Sequence, residues 1–403
     1  MKERILKALS QYRDDIAAFT SKLVGIATEN PPGARYRDCI EAVGGKLDEL
    51  GLGYQIHQVE GAPSDNPRFW LQSFYGSGQR TLYFHGHYDV VPADRPDQFQ
   101  PYQKGPNLFG RGTSDMKSGL AAMIYALRAL ADCGARLDGR IGLNVVPDEE
   151  TGGRFGSAAI ASSGWLSPGA VGMLTAEPTA GVIWNASRGA ISLRVTVKGR
   201  PSHVGLHYLG VNAFEQMLEI SQALLALKHE VATRKTGFRI APELARGSIL
   251  LLGGECSTGQ NFNVVPGECT FTVDRRINPE EDLQAEKSRL FAVFEELRKR
   301  GMDLTVDAFQ EGAAGGVGED NPLATTLALA VRDLTGKAAS FAMCPGLLEI
   351  RFYAAQGIPA LAYGPGLLSV SHGPNEFVNL DAVQSCAAVY ALTAARHLSS
   401  PSV

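Results

Sequence analysis

Short apolar runs in this 403-residue chain end on residues that can do chemistry, with helical stretches between them. Residues 81–87 (TLYFHGH) read as a buried strand entering a loop, and residues 140–146 (RIGLNVV) as a second. Between them, residues 118–130 are Ala-rich and helical, with side chains small enough to pack closely on a sheet. Nearer the N-terminus, Ile5, Leu9, Ile16, Phe19 and Leu23 recur at roughly helical spacing until residues 30–33 (NPPG) break the pattern. A second amphipathic helix is expected over 38–50, stopped by Gly51. Strands alternating with helices predict an α/β layer fold with a largely parallel sheet.

Past Glu177 the pattern changes. Residues 190–197 alternate apolar and polar, as a strand with one wet face does. A helix near 212–229, strands at 248–252 and 269–274, a charged helix at 279–300 and a strand at 303–309 follow. The order β-α-β-β-α-β describes a ferredoxin-like sandwich. The α/β pattern resumes at Gly312, so the expectation is a domain in two parts, residues 1–185 and 312–403, interrupted by an insertion at 186–311.

Composition narrows the partners. A formal net charge of -4 offers no basic field for nucleic acid or an anionic membrane. No run approaches the roughly 20 apolar residues of a membrane span, and the charged N-terminus lacks a signal-peptide core. The six cysteines form no C-x-x-C pair. The expectation is a soluble, cytoplasmic protein.

Five segments could carry chemistry. In residues 85–92 (HGHYDVVP), His87 and Asp89 lie two apart on extended chain and can converge, the carboxylate orienting the imidazole; alone, His-x-Asp also describes a surface turn. Residues 110–119 (GRGTSDMKSG) form a Gly-rich turn without Walker or full dinucleotide spacing. They present one carboxylate, Asp115, whose two oxygens can bridge two cations; an ordinary turn or N-cap aspartate is the alternative. Glu149 and Glu150 follow the strand ending at Val146, where open α/β sheets place their sites. As neighbours on an extended segment they should diverge. Elsewhere an adjacent glutamate pair is usually solvated surface. Glu177 in residues 176–179 and His372 in residues 371–376 (SHGPNE) complete the set.

Taken together, HGHYDVVP, GRGTSDMKSG, PDEETGG, EPT, GRPSHVG, NVVP and GPG…SHGPNE resemble, in order and across nearly the whole chain, a dinuclear zinc metallopeptidase family. That family contains acetylornithine deacetylase, succinyl-diaminopimelate desuccinylase, aminoacylase and carboxypeptidase G. The resemblance implies a zinc-peptidase-like catalytic domain and an inserted lid that forms a homodimer. It implies two divalent metal ions, zinc with cobalt or manganese as substitutes. His87, Asp115 and Glu177 would hold one, and Asp115, Glu150 and His372 the other. The peptide after Asp115 would be cis. Glu149 is then the general base, activating a water shared by the metals, and Asp89 orients His87. His203 would donate to the oxyanion, and Asn263, Arg276, Gly346 and Leu347 would contact substrate. If Arg276 does not, it or Arg275 simply faces solvent.

The implied reaction is hydrolysis of an N-acyl amino acid or a related small amide, with a carboxypeptidase or dipeptidase as the alternative. A non-catalytic binding protein on the same scaffold would need a broken ligand set, and no ligand is missing. A nucleotide-dependent enzyme would rest on Gly-rich turns alone. One departure stands out: Leu347 and Leu348 occupy a loop where the family often carries hydroxyl-bearing or acidic residues, which disfavours a polar acyl tail such as succinyl. His207 also replaces a frequent proline.

Overall fold

In the computed structural model, which describes residues 1–399, the change of periodicity after Glu177 coincides with a change of sheet. A first unit comprises Met1–Asn185, Val317–Phe341 and the described chain from Phe352; a second comprises Ala186–Gly316 and Ala342–Arg351. The elements run α1 (Lys2–Ser10), α2 (Arg13–Val24), α3 (Tyr36–Glu49), β1 (Tyr54–Gln58), β2 (Phe69–Ser77), β3 (Thr81–His87), β4 (Tyr102–Lys104), β5 (Asn107–Phe109) and α4 (Ser118–Asp132). Then come β6 (Gly139–Val146), α5 (Ser157–Ser162), β7 (Ala170–Thr175), β8 (Ile183–Ser187), β9 (Gly189–Lys198), α6 (Ala213–Ala232), β10 (Ile249–Thr258), β11 (Glu268–Ile277), α7 (Leu283–Lys299) and β12 (Asp303–Gly312). The chain closes with β13 (Gly315–Gly316), α8 (Pro322–Thr335), β14 (Phe341–Cys344), α9 (Ile350–Ala354), β15 (Ala360–Ala362), β16 (Phe377–Asn379) and α10 (Leu380–His397).

The sheet of the first unit has the order β1-β2-β6-β3-β7-β15-β8. β3 pairs in parallel with β6 and β7, and β15 pairs in parallel with β7; β1 and β2 join antiparallel. All seven residues of β3 are buried, which explains why its sequence is a continuous apolar run. His87 lies opposite Val146, and His85 opposite Thr175. β6 therefore ends level with β3 and β7 ends two residues earlier, and the segments after all three emerge along one edge.

In the second unit the order is β10-β11-β9-β12, every pairing antiparallel. Alternate residues Ile191, Leu193, Val195 and Val197 of β9 enter a core shared with α6 and α7. This is the ferredoxin-like arrangement the alternation predicts.

Several details differ from the sequence reading. The N-terminal helix is two helices, broken at Gln11 and Tyr12. The second unit reaches Gly316 and also takes in Ala342–Arg351, rather than ending at 311. Gly315 and Gly316 pair with Ser187 and Ala186, and the Arg188 amide donates to Gly346 O at 3.1 Å. Such short returning segments have no periodicity to read. Strands β4, β5 and β16, three residues each, form a small antiparallel sheet that is invisible for the same reason.

Gly119, in the first turn of α4, shows how tightly that helix is set. A Cβ there would lie 2.4 Å from Ala176 Cβ and 2.6 Å from Ala176 O, just before Glu177. Gly119→Ala should destabilise the protein by about 1–3 kcal/mol through overpacking, seen as a lower thermal midpoint. An unchanged midpoint would show that α4 is free to shift.

Candidate metal centre

The five expected ligands come from five segments of the first unit. His87 ends β3, Glu150 follows β6 and Glu177 follows β7. Asp115 lies in the buried Gly-rich segment before α4, and His372 lies between β15 and β16. Ligand-type atoms of His87, Asp115 and Glu177 all lie within 4.8 Å of one another, as do those of Asp115, Glu150 and His372. Asp115 belongs to both groups and turns one oxygen to each imidazole: Oδ1 is 3.2 Å from His87 Nε2, and Oδ2 is 3.3 Å from His372 Nε2.

Glu150 Oε1 sits 3.3 Å from His372 Nε2. It is buried and accepts no hydrogen bond. Burial, with Asp115 nearby, raises the Glu150 carboxyl above its ordinary range. A buried carboxylate oxygen without a donor is costly unless a cation satisfies it. Imidazole and carboxylate donors of this number suit zinc and its first-row neighbours.

Asp89 determines which ring nitrogen His87 offers. Asp89 Oδ1 lies 3.4 Å from His87 Nδ1, and the Asp89 carbonyl oxygen lies 3.1 Å from the same atom. That occupies Nδ1 and leaves Nε2 facing Asp115. The Asp89 carboxylate also accepts the Glu149 and Glu150 amides, each at 3.1 Å. The glutamates do not occupy an extended segment, contrary to the sequence reading. Glu149–Thr151 is a short 3-10 turn entered through Asp148 at φ 76°. The turn does not part the two side chains: a Glu149 oxygen and a Glu150 oxygen lie within 4.8 Å of each other and of a His87 nitrogen.

Glu376, within residues 371–376 (SHGPNE), is a further functional residue for which the sequence predicts no role. Its buried Oε1 accepts the amides of Gly112, Ser114 and Asp115 at 3.0, 2.9 and 3.1 Å. Its Oε2 meets Arg111 Nη1 at 2.8 Å. Arg111 donates in turn to the His372 and Gly373 carbonyls at 3.1 and 3.2 Å. One ion pair thus joins the Asp115 and His372 loops. The only sequence signal was its place in SHGPNE. The Asp115–Met116 peptide is cis, as the resemblance implies.

The remaining candidates lie in the second unit and outside these ligand groups. His203 is exposed, and its Nδ1 accepts the Gly205 amide at 3.1 Å. It bridges to Val264, and the Val204 amide donates to Asn263 O at 2.9 Å, so His203 and Asn263 are brought together. Asn263 Oδ1 is buried and accepts no hydrogen bond. Arg276 Nε pairs with Asp274 Oδ2 at 3.0 Å. Arg275 does not face solvent: it is fully buried against Glu281 and Glu286, because strand alternation turns it inward. Gly346 accepts the Arg188 amide through its carbonyl. Leu347 is half-buried, and Leu348 is a core residue, which removes Leu348 as a pocket-facing departure.

The neighbouring carboxylates favour the protonated form of both imidazoles. His372 is pushed up to about 10 by the Asp115 and Glu150 carboxylates beside its ring, which favour the protonated form. For His87, burial opposes the charge, but hydrogen bonds to Asp115 and Asp89 outweigh it and raise the ring well above its ordinary value. A metal ion needs neutral imidazoles and must displace these protons. Zinc affinity should therefore climb as pH rises toward about 10, with proton release measurable by calorimetry in buffers of different ionisation enthalpy. Affinity independent of pH would remove both histidines from the ligand set. Glu376→Ala should lower zinc affinity about 10–100-fold through loss of loop support, measured by titration; unchanged affinity would make the clasp purely structural.

Residues 83–396 match the family model described as Peptidase family M20/M25/M40. A succinyl-diaminopimelate desuccinylase from Azoarcus sp. is 29% identical over 387 residues, covering 93% of this chain and 96% of the relative. A probable succinyl-diaminopimelate desuccinylase from Staphylococcus epidermidis is 29% identical over 340 residues, covering 78% and 83%. An M20 family metallo-carboxypeptidase structure from Sulfolobus solfataricus aligns with a TM-score of 0.78 at 15% identity, covering 95% of this chain and 99% of that one. The match over most of its length makes this chain a member of Peptidase family M20/M25/M40.

Proposed function

We propose that this protein is a two-metal amidohydrolase acting on an N-acyl amino acid or a related small amide. The observation that carries the reading is the pair of three-residue ligand groups sharing Asp115, with the Glu149 carboxylate beside them. His87, Asp115 and Glu177 would hold one ion, and Asp115, Glu150 and His372 the other. Zinc fits this donor set, with cobalt or manganese able to substitute. When bound, the ions supply Lewis acidity toward the scissile carbonyl and its attacking water.

The chain's own residues do the rest. Glu149 takes a proton from the water at a carboxylate oxygen and returns it to the leaving nitrogen. Its neighbour Glu150 stays a ligand, because only Glu150 of the two also groups with Asp115 and His372. Asp89 keeps His87 in the tautomer that offers Nε2. In the second unit, His203 donates to the developing oxyanion, a role typically worth about 2.7–4 kcal/mol of barrier. Asn263, Arg276, Gly346 and Leu347 contact the substrate, the Arg276 fork suiting a carboxylate. The desuccinylase names of the relatives support amide cleavage over the peptidase alternative.

We assign the protein to the cytoplasm as a homodimer. Its free cysteines suit a reducing compartment, and among the described residues no helix is long and apolar enough to cross a membrane. The second unit exposes Phe214, Leu218 and Leu225 on α6 and Ile249 and Leu251 on edge strand β10. An edge strand with exposed apolar residues favours pairing with a second copy.

Glu149→Ala should retain both metals and lose about 10²–10⁴-fold in kcat. The assay is a panel of N-acyl amino acids and dipeptides with added zinc, cobalt or manganese. A wild-type rate would remove Glu149 as the base, and full turnover by metal-free protein would overturn the reading.

A further inference from the structure

Residues 30–33 (NPPG) end the N-terminal helices, yet the sequence pattern explains only the break. In the structure Asn30 is 2% exposed and lies within reach of three acceptors. Its Nδ2 is 2.8 Å from Asp89 Oδ2, 2.9 Å from Thr151 Oγ1 and 3.3 Å from Asp148 Oδ1. Thr151 Oγ1 donates onward to Asp148 Oδ1 at 2.8 Å. An amide nitrogen has two hydrogens, so Asn30 serves Asp89 and Thr151 fully, and Thr151 serves Asp148. The flipped amide would set its oxygen against two carboxylates, so this orientation follows from the chemistry.

The surroundings hold Asn30 there. Its own amide donates to Val90 O at 2.8 Å, and the Val90 amide donates to Thr28 O at 3.0 Å. Arg68 Nη2 donates to Pro32 O at 3.0 Å, and Arg68 Nε lies 3.8 Å from Asp148 Oδ1. Gly33, at φ +92°, makes room: a Cβ there would lie 2.1 Å from Arg68 Nη1. The whole NPPG turn is thus built around one side-chain amide.

We propose that Asn30 is a positioning residue for the metal centre, holding the carboxylate that orients His87 and the turn that carries Glu149 and Glu150 in one register. Asp89 Oδ1 takes His87 Nδ1 and the Glu149 amide, while Oδ2 takes the Glu150 amide and Asn30. Asn30 supplies a side-chain hydrogen bond to Oδ2, beside the backbone amide of Glu150. Without it the carboxylate is held only from the side of His87 and the glutamate turn, and their common register loosens. This inference rests on the metal-centre reading above.

The test is calorimetric titration of metal-free protein with zinc ions alone, together with steady-state kinetics on whichever compound of the substrate panel the wild type hydrolyses. Asn30→Ala should weaken zinc binding about 10–100-fold and lower kcat by a similar factor, with KM within about threefold of wild type. Asn30→Ser, which keeps one donor, should recover part of both. Asn30→Asp, matched in shape but with an acceptor facing acceptors, should be worse than alanine. If folded Asn30→Ala, or Asn30→Ser where alanine does not fold, binds zinc and turns over like wild type, the positioning role is overturned. The same follows if Asn30→Asp equals wild type. A wild type that takes up no zinc pair would instead sink the metal-centre reading itself.

Discussion

One carboxylate shared by two imidazoles organises the catalytic unit. Asp115 Oδ1 and Oδ2 lie 3.2 and 3.3 Å from His87 and His372, residues 285 positions apart in sequence, the difference of 372 and 87. Neither histidine is placed by its own neighbours alone. His87 arrives at the end of the central strand, and His372 arrives in a loop with its backbone at φ 64°. The segment that carries Asp115 is held from behind by Glu376, which accepts the Gly112, Ser114 and Asp115 amides.

Negative charge accumulates around this point, and the fold manages it with directed donors. Asp89, Asp148 and Glu376 are each buried and each receive backbone or side-chain hydrogen bonds. Lys117, also buried, donates to the Leu23 and Ile26 carbonyls at 2.9 and 2.7 Å, fastening the end of α2 to the Asp115 segment. The pattern separates two kinds of carboxylate. Supporting ones have donors on both oxygens, whereas Glu150 keeps an oxygen with none. A buried acceptor left open in this way is what a cation-binding site requires before its cation arrives.

Much of this was legible in the chain. The runs ending at His87 and Val146 read as buried strands because parallel strands covered on both faces are apolar throughout. The alternation of residues 190–197 read as a half-wet strand, and the β-α-β-β-α-β order followed. The ligand residues were found because their flanking glycines and prolines form motifs. Other features were not legible. A three-residue strand carries no period, so the small sheet and the return of Ala342–Arg351 to the second unit went unseen. Arg275 and Arg276 are adjacent and alike in type; only the pleat decides that the first is buried among glutamates and the second meets Asp274.

The sequence by itself determined the α/β scaffold and its antiparallel insertion, because hydrophobic period is a property of neighbouring residues, and its motifs, taken together, pointed through a family resemblance to a candidate metal-ligand set. The tertiary structure decided how those residues are held: the Asn30 amide beside Asp89, the Glu376 clasp behind Asp115, and the 3-10 turn that carries Glu149 and Glu150. These contacts join residues tens to hundreds of positions apart. Hydrogen-bond direction and burial depend on where the strands end in space, and no local pattern encodes that.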